Sequence, residues 1–316
     1  MNILIANVGN IRVNEIKCLA EALNKKHNVT IAAMAIGSSS MGQAFSSGNN
    51  PVRVSPLLYK EVVKNTHWIA VKDVKELTPS TKTKTGAFDN IAAFEFYTSP
   101  ADAISIMLGE LMLTKRPDLV ICGINNGVHF GQDIYSSSNI GMAMEAGFFR
   151  VPAVAIGVER QIGGHSEAQL APAVKFIEKN IEAISKLKLS NHTFLNINIP
   201  PVEKYTDFAG VKITRMGKLA QLSEYDERTD VKGNKYYWAK DTTRSNADLG
   251  DESGRTWFDK GYISITPLSY DATDYKSVED WNNGIIKKMK QELDTKETWD
   301  FTKSFKPKEE KEEEEQ

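Results

Sequence analysis

The sequence predicts an α/β protein organised on a parallel β-sheet, and three observations carry that prediction. Residues 3–6 (ILIA) and 29–33 (VTIAA) are short continuous apolar runs, the pattern of strands buried on both faces. Between them, Glu15–Asn24 places Ile16, Leu19, Ala20 and Leu23 at helical spacing. Strand, loop, helix and strand within about 30 residues form a βαβ unit, whose crossover is right-handed.

The remaining elements follow in chain order. Gly37–Asn50 (GSSSMGQAFSSGNN) is a polar Gly/Ser loop beyond the second strand. Thr98-Ser99-Pro100-Ala101-Asp102 leads into a helix over Ile104–Leu113, with proline near its first turn and a hydroxyl cap before it. Arg116-Pro117-Asp118 stops that helix. Leu119–Cys122 (LVIC) is a third buried strand, ending at Gly123-Ile124-Asn125-Asn126-Gly127. Ile140–Phe149 reads as a helix and Ala153–Val158 as a strand. Ala168–Lys186 is helical, with Leu170, Val174, Ile177, Ile181 and Ile184 on one face. Phe194–Ile199 alternates like a strand whose two faces differ.

After Pro200 the character changes. Val211–Thr214, Lys235–Trp238 and Tyr262–Thr266 are short strands between polar loops, and Gly233-Asn234 is a turn signal, so a hairpin-rich lobe is expected. Thr302–Gln316 (TKSFKPKEEKEEEEQ) has almost no apolar content and is expected to be a disordered tail. The division expected is a core over 1–200, a substrate and oligomerisation lobe over 201–285, and a helical end with a charged tail over 286–316.

Composition excludes several classes of function. A net charge of −2 over 316 residues gives no global field for a nucleic-acid duplex or an anionic membrane. The two cysteines, Cys18 and Cys122, lie in apolar runs and imply no disulfide framework. No stretch approaches the roughly 18 apolar residues that span a bilayer. MNILIANVG lacks the basic start of a signal peptide, so a cytoplasmic location is expected.

Three loops converge at the carboxyl ends of the strands if the sheet is parallel: Asn7–Val13, Gly37–Gln43 and Gly123–Asn139. All three are rich in Asn, Ser and Gly, whose small polar groups and close-approaching N–H groups suit a phosphate. Ser137-Ser138-Asn139 directly precedes a helix and places hydroxyls and free N–H groups at its N-terminus. The same segment also reads as a plain N-cap, and Asn125 as a turn residue.

The residues resemble the SurE (survival protein E) family of metal-dependent nucleotide phosphatases. Met1–Glu15 resembles that family's opening strand, which runs into Asn-Asp-Asp-Gly. Val29–Ser46 resembles its second strand and Ser-containing loop, and Thr98–Cys122 its Thr-Pro-x-Asp-Cys and Arg-Pro-Asp-Leu-Val segments. Gly123–Gly127 is similar to Gly-Ile-Asn-x-Gly, and Ser137–Glu145 to Ser-Gly-Thr-Val-x-Ala-Ala-x-Glu. Leu195–Pro200, Thr214–Gly217, Tyr236–Trp238 and Gly261–Leu268 continue the match, which is collinear over roughly residues 1–270.

The resemblance implies a Rossmann-like three-layer fold, a divalent metal such as Mg²⁺ or Mn²⁺, nucleoside monophosphate substrates and a homodimer or tetramer. It also implies roles residue by residue. Ser39 and Asn125 stand at metal-ligand positions, and Ser137, Ser138 and Asn139 at the phosphate site. Asn7 and Asn10 are the catalytic candidates of the first loop. The family's two adjacent aspartates, however, are Val8 and Gly9 here. Neither side chain coordinates a cation, and the remaining ligand positions are neutral. The resemblance therefore leaves three expectations: a nucleotidase of impaired activity, a non-catalytic nucleotide-binding relative, or a chiefly structural oligomer with a vestigial pocket. Four residues could replace the lost charge: Asp133, Asp102, Glu15 and His129. For each an ordinary reading stands alongside. Asp133 and His129 read as loop residues, Asp102 as a helix-start cap, and Glu15 as solvent-facing.

Overall fold

The computed structural model describes residues 1–48, 51–62, 65–70, 89–187, 189, 193–218, 224–240 and 250–284. The charged tail expected over Thr302–Gln316, and the whole of 286–316, lie outside the described residues. Twelve strands are described: β1 (Asn2–Asn7), β2 (Asn28–Met34), β3 (Arg53–Val62), β4 (Asn65–Ala70), β5 (Asp89–Tyr97), β6 (Leu119–Asn126), β7 (Ala153–Val158), β8 (Thr193–Ile199), β9 (Gly210–Ile213), β10 (Tyr225–Thr229), β11 (Lys235–Ala239) and β12 (Tyr262–Ser269). The helices are α1 (Asn14–Asn24), α2 (Pro100–Ile106), α3 (Asp133–Ser136), α4 (Ser138–Phe148), α5 (Glu167–Ser185), α6 (Gly254–Asp259) and α7 (Tyr275–Asn283), with a π-helical turn, Met107–Leu111, continuing α2.

Met1–Tyr270 form one compact unit. Its sheet runs β4-β3-β5-β2-β1-β6-β7-β8-β12-β9. The six central strands, β5-β2-β1-β6-β7-β8, are all parallel. Numbered among themselves by sequence, they lie in the order 3-2-1-4-5-6, the doubly wound Rossmann order. The order reverses between β1 and β6, and ligands of such sheets bind at the carboxyl ends of the strands at that point. The α/β expectation holds.

Three layers follow from which faces are apolar. On one face of the sheet, Ile16, Leu19 and Leu23 of α1 pack with Leu170, Val174 and Ile177 of α5 against Ile3, Ile5 and Ile121. On the other, Ile104 of α2 and Ile140, Met142 and Ala143 of α4 pack against Leu4, Ala6 and Val120. Burial of each large aliphatic side chain contributes about 1.5–3 kcal/mol. Val154 and Ile156 join the first cluster and Ala153 and Ala155 the second, which explains the continuous apolar run of β7, while Leu195 and Ile197 of β8 join the first cluster and alternate with Asn196 and Asn198. Cys122 is buried and Cys18 half-buried, both as free thiols.

The sequence reading did not anticipate β3, β4 and β5. The antiparallel β3–β4 hairpin adds to the edge of β5, so the described part of the connection from β2 to β5 contributes two strands. Beyond Pro200, β12 pairs antiparallel with β8 and parallel with β9, extending the main sheet. β10 and β11 form a separate hairpin closed at Asp230–Asn234, where the turn was expected. Asp271–Gln316 form a second unit, whose described part is α7, capped by Asp274 on the Ser277 N–H. Among the described residues no helix is long and apolar enough to cross a membrane.

Candidate functional site

The loops after β1, β2 and β6 meet the start of α4 around a cleft of about 870 Å³ at the switch point. That volume lies in the range of small-molecule sites. Ser39, Asn125, Ser137, Ser138 and Asn139 all line it, as does Asn7. The topology thus brings together residues from four separate stretches of sequence.

The start of α4 is the cleft's anion-attracting wall. Ser137 is the N-cap, its Oγ accepting the Ile140 N–H at 3.2 Å. The plain N-cap reading of this segment is met by Ser137. The N–H groups of Ser138 and Asn139 open the helix and have no intrahelical acceptor, and the helix dipole adds partial positive charge there. No acidic side chain stands in the first turn. Asn139 donates from Nδ2 to the Ile156 carbonyl at 3.3 Å, and its buried Oδ1 has no protein partner.

The second loop is tied to this wall. Ser138 Oγ donates to the Ser38 carbonyl at 2.7 Å and accepts the Met41 N–H at 2.9 Å. The Gly42 N–H donates to the Ser136 carbonyl at 2.8 Å. A Cβ at Gly141 would run into the Gly42 carbonyl, so only glycine on α4 lets the loop approach this closely. The result holds Ser39 at the mouth of the cleft.

The third loop positions Asn125 and His129. Asn125 Nδ2 donates to the Gly127 carbonyl at 3.0 Å and lies 3.2 Å from His129 Nε2, leaving Oδ1 as its remaining polar group. His129 is clamped through its backbone by β8. Its N–H donates to Asn198 Oδ1 at 2.8 Å, and its carbonyl accepts from Asn196 Nδ2 at 2.8 Å and Asn198 Nδ2 at 3.0 Å. Burial lowers its pKa to about 4, so the ring is neutral at pH 7. Nε2 faces the Asn125 amide donor, which assigns the ring proton to Nδ1. The sequence signal for this clamp was the alternating Asn196 and Asn198, which fall on one face of β8.

In the first loop, Asn7 reaches the cleft with both polar groups engaged. Nδ2 donates to the Ile124 carbonyl at 2.9 Å and Oδ1 accepts the Gly9 N–H at 2.8 Å. Asn10 is not part of the cleft lining. It donates to Glu95 Oε1 at 3.2 Å and to the Ala35 carbonyl at 3.3 Å, and accepts the Arg12 N–H. Val8 and Gly9 line the cleft where the resemblance puts a pair of carboxylates.

The carboxylates considered as replacements divide three ways. Asp102, 2 % exposed, lies outside the cleft lining and anchors the loop after β2. Its Oδ2 accepts the N–H groups of Ser46 (2.7 Å) and Ser47 (3.1 Å) and the hydroxyls of Thr98 (2.7 Å) and Ser99 (2.9 Å). Burial pushes its pKa up, but hydrogen bonds from Ser47, Ser46, Thr98 and Ser99 outweigh it and hold the carboxyl far below its usual range. Asp133 lines the cleft at the start of α3. Glu15 does not face solvent as expected. It is 5 % exposed, and its Oε1 accepts the His165 N–H at 3.2 Å and pairs with His165 Nδ1 at 2.8 Å. Helical spacing could not reveal a partner 150 residues away. Among the described residues, no three or more His, Cys, Asp or Glu side chains group as a metal site.

The family model described as Survival protein SurE matches residues 3–222. The chain belongs to the SurE family. The 5'-nucleotidase SurE of Pelotomaculum thermopropionicum (strain DSM 13744 / JCM 10971 / SI) is 31% identical over 88% of this chain and 93% of its own. That of Thermoanaerobacter sp. (strain X514) is 28% identical over 91% and 99%. The crystal structure of the SurE protein from Aquifex aeolicus has a TM-score of 0.65 at 23% identity, covering 89% of this chain and 98% of that one. This last likeness bears on the fold, and it agrees with the three-layer SurE architecture described above.

Proposed function

We propose that this SurE-family chain binds a nucleoside monophosphate in the switch-point cleft and is a phosphomonoesterase of the 5′-nucleotidase type with depressed turnover. The observation that carries the reading is the open N-terminus of α4, which has no acidic residue in its first turn and lines one cleft with Ser39 and Asn125. The printed names of the curated relatives support the substrate class.

A divalent ion is what the resemblance implies, and the donor chemistry argues against one held tightly. Ser39 and Asn125 offer neutral oxygens, Val8 and Gly9 offer no side-chain ligand, and the cleft's two carboxylates, Asp133 and Glu15, belong to no group of three or more His, Cys, Asp or Glu side chains among the described residues. Mg²⁺ and Mn²⁺ sites ordinarily include carboxylate charge that offsets ion dehydration. The residues do not fit a resident ion. What the chain's own residues do is bind and orient. The α4 N–H groups and Ser137 receive the phosphate, the neutral His129 imidazole adds no charge beside it, and Asn7 shapes the first loop. The same donor set favours a second reading, a non-catalytic nucleotide-binding member of the family. Exposed Tyr225, Tyr237 and Trp238 on the β10–β11 hairpin support assigning the lobe over 201–285 to assembly, as a homodimer or tetramer.

One set of assays tests this. AMP, GMP and p-nitrophenyl phosphate are offered with Mg²⁺, Mn²⁺ and Co²⁺, to the natural chain and to Val8→Asp plus Gly9→Asp. Slow turnover that rises in the double variant supports the phosphomonoesterase reading. Tight nucleotide binding with no turnover in either protein selects the non-catalytic one, and absence of nucleotide binding contradicts both.

A further inference from the structure

We infer that Glu15 is a specificity residue of the cleft: a fixed carboxylate that accepts hydrogen bonds from the sugar hydroxyls of the bound phosphomonoester. The inference rests on the proposed binding of a nucleoside monophosphate and adds which part of that ligand the chain reads.

Four observations place Glu15 in this role. It lies in the first turn of α1, the helix that follows β1, and it lines the switch-point cleft. It is 95 % removed from solvent, yet its two oxygens differ. Oε1 takes both bonds from His165, through the backbone N–H and Nδ1. Oε2 has no protein partner among the described residues and keeps contact with solvent, and Glu15 lines the cleft. His165 is itself held, with Nε2 2.8 Å from the Glu159 carbonyl, so the carboxylate is fixed in orientation.

Charge decides which end of the ligand meets this oxygen. A phosphate dianion beside a buried carboxylate is repelled; Arg160 and Asp133 also line the cleft, and the first turn of α4 offers N–H groups with no acidic side chain among them. The phosphate therefore takes α4, and the uncharged end of the ligand faces α1. An ionised carboxylate is acceptor-only, so it selects groups that donate. The vicinal hydroxyls of ribose donate, and carboxylates recognise them this way in other doubly wound sheets. Loss of a hydrogen bond to a buried charged group lowers affinity by about ten- to a hundredfold. Ribose 5-phosphate and other sugar phosphates share the diol, so the shared chemistry is a phosphomonoester bearing vicinal hydroxyls.

The test measures binding of AMP, 2′,3′-dideoxy-AMP and ribose 5-phosphate by calorimetry, with the full chain and with Glu15→Gln and Glu15→Ala. The natural chain is expected to bind AMP at least about tenfold more tightly than the dideoxy nucleotide. Both variants are expected to lose that ratio. Ribose 5-phosphate binding on a par with AMP would name sugar phosphates as the ligand source and leave Glu15's role in place. Equal affinity for AMP and the dideoxy nucleotide in the unmodified chain overturns the inference without any variant, so a misfolded mutant cannot obscure it. No binding of any of the three compounds instead overturns the nucleotide reading on which it rests.

Discussion

Helices α1 and α4 both start at the carboxyl edge of the sheet, beside the two strands where the order reverses, yet their N-termini are built in opposite ways. α1 begins without a side-chain cap and carries Glu15 in its first turn, a carboxylate locked to His165. α4 begins with a serine cap and no acidic residue in its first turn. A helix N-terminus attracts negative charge, and α1 already holds its own. α2 repeats the α1 solution: Asp102 in its first turn is saturated by serine and threonine donors. The difference teaches where an external anion can go. Two starts are filled internally, and the third is left for the ligand.

Breaking the filled type has the largest expected effect. Asp102→Ala removes the acceptor that joins Ser46, Ser47, Thr98 and Ser99, and should destabilise the fold by roughly 3 kcal/mol in urea denaturation. The same carboxylate gives a pH signature. Its folded pKa is depressed, so its stabilisation is present above the ordinary value of 3.8 and is lost as pH falls through the folded value. The stability gap between the natural chain and Asp102→Asn should therefore narrow below about pH 4.

Converting the open type into the filled type comes next. Ser137→Asp keeps a good N-cap but places a carboxylate at the start of α4, and nucleotide affinity should fall about a hundredfold, roughly 2.8 kcal/mol. Its thermal midpoint should stay within a few degrees of the natural chain, about the shift that 1 kcal/mol produces. Gly141→Ala should have the smallest effect on nucleotide affinity, since it adds and removes no polar group. Its new Cβ pushes on the Gly42 carbonyl, costing about 1–3 kcal/mol and drawing Ser39 away from the cleft. A calorimetric titration with AMP should show weaker binding in this variant.

Much of this site was legible in the sequence, because its parts are short local signals. The apolar runs of β1, β2, β6 and β7 gave a parallel sheet, and a parallel sheet brings its carboxyl-end loops together. That reasoning placed Ser39, Asn125 and Ser137–Asn139 around one cleft, as found. What stayed hidden depends on distant partners. Glu15 reads as a solvent-facing helix residue until His165 is folded against it. His129 reads as an isolated loop histidine until Asn196 and Asn198 of β8 clamp its backbone. Asn10 sits in a loop rich in site residues, yet its side chain turns to Glu95. β3 contains Pro56 and belongs to an edge hairpin, so it gave no buried-strand signal.

The claim at the centre of this account is that α4, and not α1, receives the phosphate. Backbone amide shifts of the deuterated, ¹⁵N-labelled protein, titrated with AMP and with inorganic phosphate, measure this at individual residues. The N–H signals of Ser138 and Asn139 should move with both ligands, while those of Asn14, Glu15 and Ile16 should stay still with phosphate. Phosphate-induced shifts centred on Asn14–Ile16, with Ser138 and Asn139 unmoved, would contradict it.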